Sequence, residues 1–266
     1  MSTLSQKLED RSAFSTNVVL ADILATGVSK SADGAGTVAV HSAITLSEGE
    51  MLQRVVRLID PTVSLEIGLA YGVSALFICD ALKVRSGTEH IVIDPNQYVS
   101  TNGFCWDGIG MANLRRAGHG DIVRLIEEPS YRALPELERS GCRVDFAFID
   151  GWHTFDFALV DFFFIDRMLN VGGVVAFDDM HMPAIRKLCR FVKTSLAYSI
   201  LAVSGSSSAP TFKRRASEQL LRRSPFRRLL RPEVATPDKR IGLRGTCIAF
   251  RKEADDTRPW SHFEDF

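Results

Sequence analysis

The sequence has no surplus of charge of either sign: Lys plus Arg number 32 and Asp plus Glu number 32 in 266 residues. No global field would draw the chain to nucleic acid or to a membrane surface, so any such attraction must be local. Cysteine is sparse. Cys79, Cys105, Cys142, Cys189 and Cys247 are odd in number, widely spaced and without a CxxC pair. That pattern argues against a disulfide framework and a structural zinc knuckle, and fits a reducing cytoplasm. Long apolar runs are also missing. The most apolar stretch, Phe155 to Leu169, is broken by Asp156, Asp161 and Asp166, and the opening MSTLSQKLEDRS has no apolar signal core. A chain that is neither exported nor membrane-spanning is expected. What is present is apolar material for a large core: 45% of residues are hydrophobic, which excludes disorder as the general state.

Short runs rich in Val, Ile and Phe recur at regular spacing, each followed by a helical pattern: VSLEI (63–67), HIVID (90–94), IVRLI (122–126), VDFAFI (144–149) and GVVAF (173–177). Their low alternation suits strands covered on both faces, and the order reads as βαβ repeats around a parallel sheet. Helices are expected at about 47–59, 73–84, 109–118, 131–139, 154–169 and 182–195, several with apolar residues three and four apart. YSILAV (198–203) and TCIAFR (246–251) have no crossover helix pattern directly between them and read as a closing antiparallel pair. The segment between, 204–245, differs in composition: from Pro210 to Gly245 it holds eleven Lys or Arg against three acids. A solvated excursion, a lid for an anionic substrate, or an arm contacting RNA or lipid all fit that bias, although no nucleic-acid recognition motif accompanies it. The chain thus divides into an N-terminal cap (1–46), a core (47–203 and 246–251), the basic insertion and a C-terminal tail (252–266).

LEIGLAYGVSALFICDAL (65–82) runs from strand through a glycine-bearing turn to a helix, and Gly68 and Gly72 leave room for a ligand to approach the backbone. The dinucleotide fingerprint G-x-G-x-x-G is missing, which disfavours the alternative of a nicotinamide-dependent oxidoreductase. Glu66, just before the turn, would oppose a pyrophosphate and could accommodate a cationic ligand. Asp94, ending the second strand, is placed to accept hydrogen bonds from ribose hydroxyls. Its other reading is a turn residue before Pro95.

FIDGWH (148–153) and AFDDMH (176–181) end the fourth and fifth strands. If these are neighbours, their ends lie about 5 Å apart and Asp150, Asp178 and Asp179 converge in one crevice. Three clustered carboxylates call for a hard divalent ion, Mg²⁺ first, which takes oxygen ligands and leaves positions for substrate oxygens. The other reading is that Asp178 or Asp179 caps the helix that Pro183 would start.

With these motifs the chain resembles the class I S-adenosylmethionine-dependent methyltransferases, and among them the catechol and caffeoyl-CoA O-methyltransferase-like group, including the bacterial methyltransferase family 24. The similarity spans about residues 42–203 and 246–251, with Ser47, Glu48 and Gly49 heading the first helix. It implies a Rossmann-like α/β three-layer sandwich with a seven-stranded, mostly parallel sheet whose last strand is antiparallel. It implies S-adenosyl-L-methionine held by Glu66, Gly68, Gly72, Ser74, Asp94, Ser130 and Tyr131, the last two from EPSYRALPEL (128–137). It implies a divalent metal, Mg²⁺ by family habit, on Asp150, Asp178 and Asp179; relatives usually carry Asn at the third position. His153 aligns with a lysine often assigned as general base, and an imidazole can do that work near neutral pH. Hydrogen bonding to a neighbouring acid is its other reading. The implied reaction is methyl transfer to a hydroxyl of a small molecule such as a catechol, a sugar diol or a natural product. A methyltransferase fold kept only for partner binding is the remaining alternative. Relatives often form homodimers, though no residue pattern here fixes an assembly. His181 could be a further ligand or a turn residue, His41 could face the donor's methionine end, and Trp106 and Trp152 could wall a pocket or pack in the core.

Overall fold

The apolar runs form strands where both faces find a partner. The computed structural model describes residues 17–100, 103–205, 237–263 and 266. In chain order these give α1 (Val18–Thr26), β1 (Val28–Lys30), β2 (Thr37–Ala39), α2 (Leu46–Ile59), β3 (Val63–Ile67), α3 (Val73–Ala81), β4 (Glu89–Ile93) and α4 (Ile109–Arg116). They continue with β5 (Val123–Ile126), α5 (Ser130–Arg139), β6 (Val144–Ile149), α6 (Phe155–Met168), β7 (Leu169–Phe177), α7 (Pro183–Ser195), β8 (Tyr198–Ser204) and β9 (Cys247–Lys252). All seven strands expected from the sequence are present and make one sheet, in the order β5-β4-β3-β6-β7-β9-β8. The pairs among β3 to β7 are parallel, and β9 runs antiparallel to both β7 and β8. The expected Rossmann-like three-layer sandwich with one antiparallel strand is what the chain adopts.

Side chains alternate between two apolar layers. Phe146 and Phe148 of β6 pack with Leu52, Phe77 and Leu114 on one face, while Ala147 and Ile149 pack with Leu134, Phe162 and Leu188 on the other. Both faces are thereby dry, which is why these strands read as continuous apolar runs rather than as alternating ones. The helix expected over 73–84 stops at Ala81, with the Leu82 N–H bonded to the Cys79 carbonyl.

Among the described residues, α1, the short hairpin of β1 and β2, and a single 3-10 turn at Asp238–Arg240 escaped the sequence reading. Asn17 caps α1, accepting from the Leu20 N–H at 2.8 Å, and its own amide groups bond to the Asp80 carboxylate on α3. That contact fastens the segment before α2 to the core. The interior of the basic insertion, and with it the short helix face of Leu220, Leu221, Phe226, Leu229 and Leu230, lies outside the described residues. No helix among the described residues is long and apolar enough to cross a membrane.

Strand order reverses between β3 and β6: from β3 the chain proceeds outward to β4 and β5, then returns to β6 and proceeds the other way. The carboxyl ends of strands at such a reversal border a crevice, because successive connections leave in opposite directions.

Candidate active site

The turn after β3 lies at one wall of this crevice. Gly68 has φ +90°, and a Cβ there would collide with the Asp150 carbonyl oxygen at the end of β6. Gly72 has φ +78°, and a Cβ would press on the backbone of Gly110 at the start of α4. Both glycines are therefore demanded by the chain's own backbone, before any ligand is considered. Ala70, between them, sits at φ 47°, a region that costs a non-glycine residue of the order of 1 kcal/mol or more. The expense is met by Asp94. Its Oδ2 accepts from the Leu69 and Ala70 N–H groups, each at 3.0 Å, and from Gln97 Nε2 at 3.1 Å, while Oδ1 accepts from the Asn96 N–H at 2.8 Å. Asp94, expected to face a ribose, is thus first the pin that holds the glycine turn, and Oδ1 has the fewer partners.

Glu66 is wholly buried. Ser74 Oγ, in the first turn of α3, donates to its Oε1, and His90 Nε2 lies 3.0 Å from its Oε2. After β5, at the start of α5, stand Ser130, which is buried, and Tyr131, which is 46% exposed and edge-on to Phe157. Tyr71, from the glycine turn, bonds through its hydroxyl to His41 Nε2 at 2.8 Å and packs with Trp106. His41 and Trp106 so belong to an aromatic cluster beside the turn. Trp152 is 67% exposed and does not enter the core.

The carboxylates meet at the ends of β6 and β7. Asp150, His153 and Asp179 can each offer one donor atom with all three atoms within 4.8 Å of one another. His153 Nε2 is 3.2 Å from Asp179 Oδ2 and 3.8 Å from Asp150 Oδ1, and His181 Nδ1 is 3.3 Å from Asp179 Oδ1. The group brought together therefore differs from the aspartate trio read in the sequence: His153 joins it, and Asp178 lies beside it. Asp179 adopts φ 51°, a left-handed turn residue. Asp178, the residue before it, is only 8% exposed and close to Glu48.

Burial, then the charges of Asp178, Glu66, Asp179 and Glu48, hold the Asp150 pKa well above the usual carboxylate range. Burial, then Glu48, raises that of Asp178 to about 7. Burial lowers the His153 pKa, with Asp179 pulling it up and His181 pushing it down. A pocket in which several carboxyls are disfavoured as anions and an imidazole is disfavoured as a cation is one that an added positive charge would relieve. Two carboxylate oxygens and an imidazole nitrogen are ordinary donors for a divalent ion, so the residues fit such a group.

Sequence reasoning did not assign roles to Glu48 and His90. Glu48 is buried, completes a capping box with Thr45 and accepts from Thr246 Oγ1. The S-E-G signature marked its helix start, but only the fold sets it against Asp178. His90 gave no signal, because its partner comes from strand register.

Residues 65–180 match a family model described as a methyltransferase domain. A caffeoyl-CoA O-methyltransferase-like protein of Arabidopsis thaliana is 27% identical over 137 residues, which are 51% of this chain and 54% of the relative. The chain thus spans about half the length of that curated relative. Among solved structures, an O-methyltransferase from Bacillus cereus in complex with SAH is similar with a TM-score of 0.56 at 18% identity, covering 75% of this chain and 89% of that one. Cofactor-bound Rv0187 from MTB is similar with a TM-score of 0.54 at 19% identity, covering 74% and 87%. At these identities the structural likenesses establish the fold.

Proposed function

We propose that the protein, whose residues 65–180 match a methyltransferase-domain model, is an S-adenosylmethionine-dependent O-methyltransferase acting on a hydroxyl of a small molecule, with a divalent cation held by Asp150, His153 and Asp179 and flanked by Asp178. One observation carries this reading. The backbone of Gly68 packs directly on the carbonyl of Asp150, so the glycine turn and the acid-imidazole cluster are two walls of one site.

The donor's nucleoside end fits between Asp94 and the start of α5, where Ser130 and Tyr131 stand, and its amino-acid end fits along the Gly68–Ser74 turn backed by Glu66. When bound, the donor supplies an electrophilic methyl group, and the cation, Mg²⁺ or another divalent ion that accepts imidazole, supplies the positive charge that makes a hydroxyl acidic. The chain's own residues then position and deprotonate. The turns after β6 and β7 set the acceptor's approach, since rate comes largely from holding the reacting atoms in line. His153, kept from protonation by burial, can receive the hydroxyl proton at Nε2, or can instead hold the cation through the same atom; one nitrogen cannot do both at once. Acceptors with two adjacent oxygens, a catechol or a sugar diol, suit a site of this kind.

The experiment is transfer of a deuterated methyl group from S-adenosylmethionine to a panel of vicinal diols, read by mass spectrometry. Transfer that falls at least about a hundredfold with chelator or with Asp150→Asn supports the reading, a loss in keeping with removal of a charge-stabilising group. Undiminished transfer with chelator removes the cation from it, and no transfer with any diol while donor still binds removes the acceptor class.

A further inference from the structure

Beneath the glycine turn lies a chain of polar side chains inside an otherwise apolar layer: Ser74, Glu66, His90 and Ser64. Glu66, His90 and Ser64 are 0% exposed and Ser74 is 5% exposed. Strand register creates it. Ser64 of β3 stands opposite His90 of β4, and Glu66, two residues further along, faces the same side. His90 Nδ1 is 2.9 Å from Ser64 Oγ, and Nε2 is 3.0 Å from Glu66 Oε2. The second oxygen of Glu66 accepts from Ser74 Oγ. Each carboxylate oxygen therefore has a donor inside the protein, and the residue has no surface left for a ligand.

We infer that His90 is a positioning residue: by holding Glu66 it fixes Ser74 and the first turn of α3, so that Glu66 supports the donor site through Ser74 rather than as a charge touching the donor. With Nε2 donating to Glu66, the neutral imidazole presents Nδ1 as an acceptor, and Ser64 Oγ donates to it, which fixes the tautomer. Removing His90 would leave a buried carboxylate oxygen without its partner, and the carboxylate would turn or draw in water, carrying the Ser74 hydroxyl with it.

This inference rests on the donor-site reading above, and the two fail differently. The experiment is calorimetric titration of the full chain with S-adenosylmethionine, whose sulfur is cationic, and with S-adenosylhomocysteine, whose sulfur is neutral. Glu66→Gln keeps an acceptor for Ser74 and removes the charge. It should weaken both ligands by the same factor, about threefold, while His90→Leu should weaken both about tenfold and His90→Gln should restore most of that loss. A Glu66→Gln protein that loses tenfold or more for the sulfonium ligand with the neutral ligand unchanged overturns the inference, since the charge would then act directly. Native-like affinity in folded His90→Leu also overturns it. If His90→Leu does not fold, the Glu66→Gln ratio decides alone. Failure of the unaltered chain to bind either ligand rejects the donor-site reading itself, and the inference with it.

Discussion

Asp161 shows how much a single buried group can say. It lies on α6 at 1% exposure, its Oδ2 close under Gly151 in the turn that carries Asp150 and His153, and neither of its oxygens makes a well-formed hydrogen bond. Burial raises its pKa from 3.8 to about 6, with a smaller opposing effect from the Ser130 hydroxyl. Between those two values the folded chain binds more protons here than the unfolded chain, so this group's contribution is present in full below about pH 4 and is lost as pH rises through about 6. Asp161→Asn should remove that slope and make the protein up to about 3 kcal/mol more stable relative to the native chain at pH 7 than at pH 4. Urea unfolding at both pH values measures it. Identical pH dependence in the two proteins would mean that Asp161 stays ionised at no cost. In the sequence this residue was merely a break in an apolar run, because one charged letter does not tell whether the fold will solvate it.

At the scale of elements, the turns carry the site, and they differ in how openly the sequence announced them. Gly68 and Gly72 marked the turn after β3, and beside the room they leave for a ligand stands a backbone reason that the letters did not show, the approach of Asp150 and of Gly110. Gly68→Ala should cost about 2 kcal/mol or more in stability, from positive φ and from collision with a carbonyl that cannot move without shifting β6. Because the same shift displaces Asp150, cation affinity should fall with it. Thermal unfolding together with cation titration checks both; a stable variant with unaltered cation binding would separate the two walls. The strands were legible because each is buried on both faces and so is written in Val, Ile and Phe. The hairpin of β1 and β2 was not, since three-residue strands with an entirely exposed β2 carry no period to read. Register was equally hidden, and with it the pairing of His90 with Glu66. The meeting of Asp150 and Asp179 was legible for a simple reason: residues that end adjacent parallel strands must converge. That His153 rather than Asp178 completes the trio of donor atoms within 4.8 Å is set by the conformation of the two turns, and nothing in the letters fixes that.

For the whole molecule, the strand reversal between β3 and β6 sets the plan. It opens the crevice, places the glycine turn on one lip and the acid-imidazole cluster on the other, and leaves the aromatic cluster of His41, Tyr71, Phe104 and Trp106 at the border. The segment before α2 is tied down through Asn17 and Asp80, and again through Ser29 and Asn113. The crevice wall on that side is therefore part of the folded core. The most direct test of this arrangement is a crystal structure of the full chain with S-adenosylhomocysteine and Mn²⁺, read by anomalous scattering. The account predicts the nucleoside between Asp94 and Ser130 and one anomalous peak bounded by Asp150, His153 and Asp179. A ligand bound away from the Gly68–Ser74 turn, or a metal peak at some other carboxylate group, would contradict it.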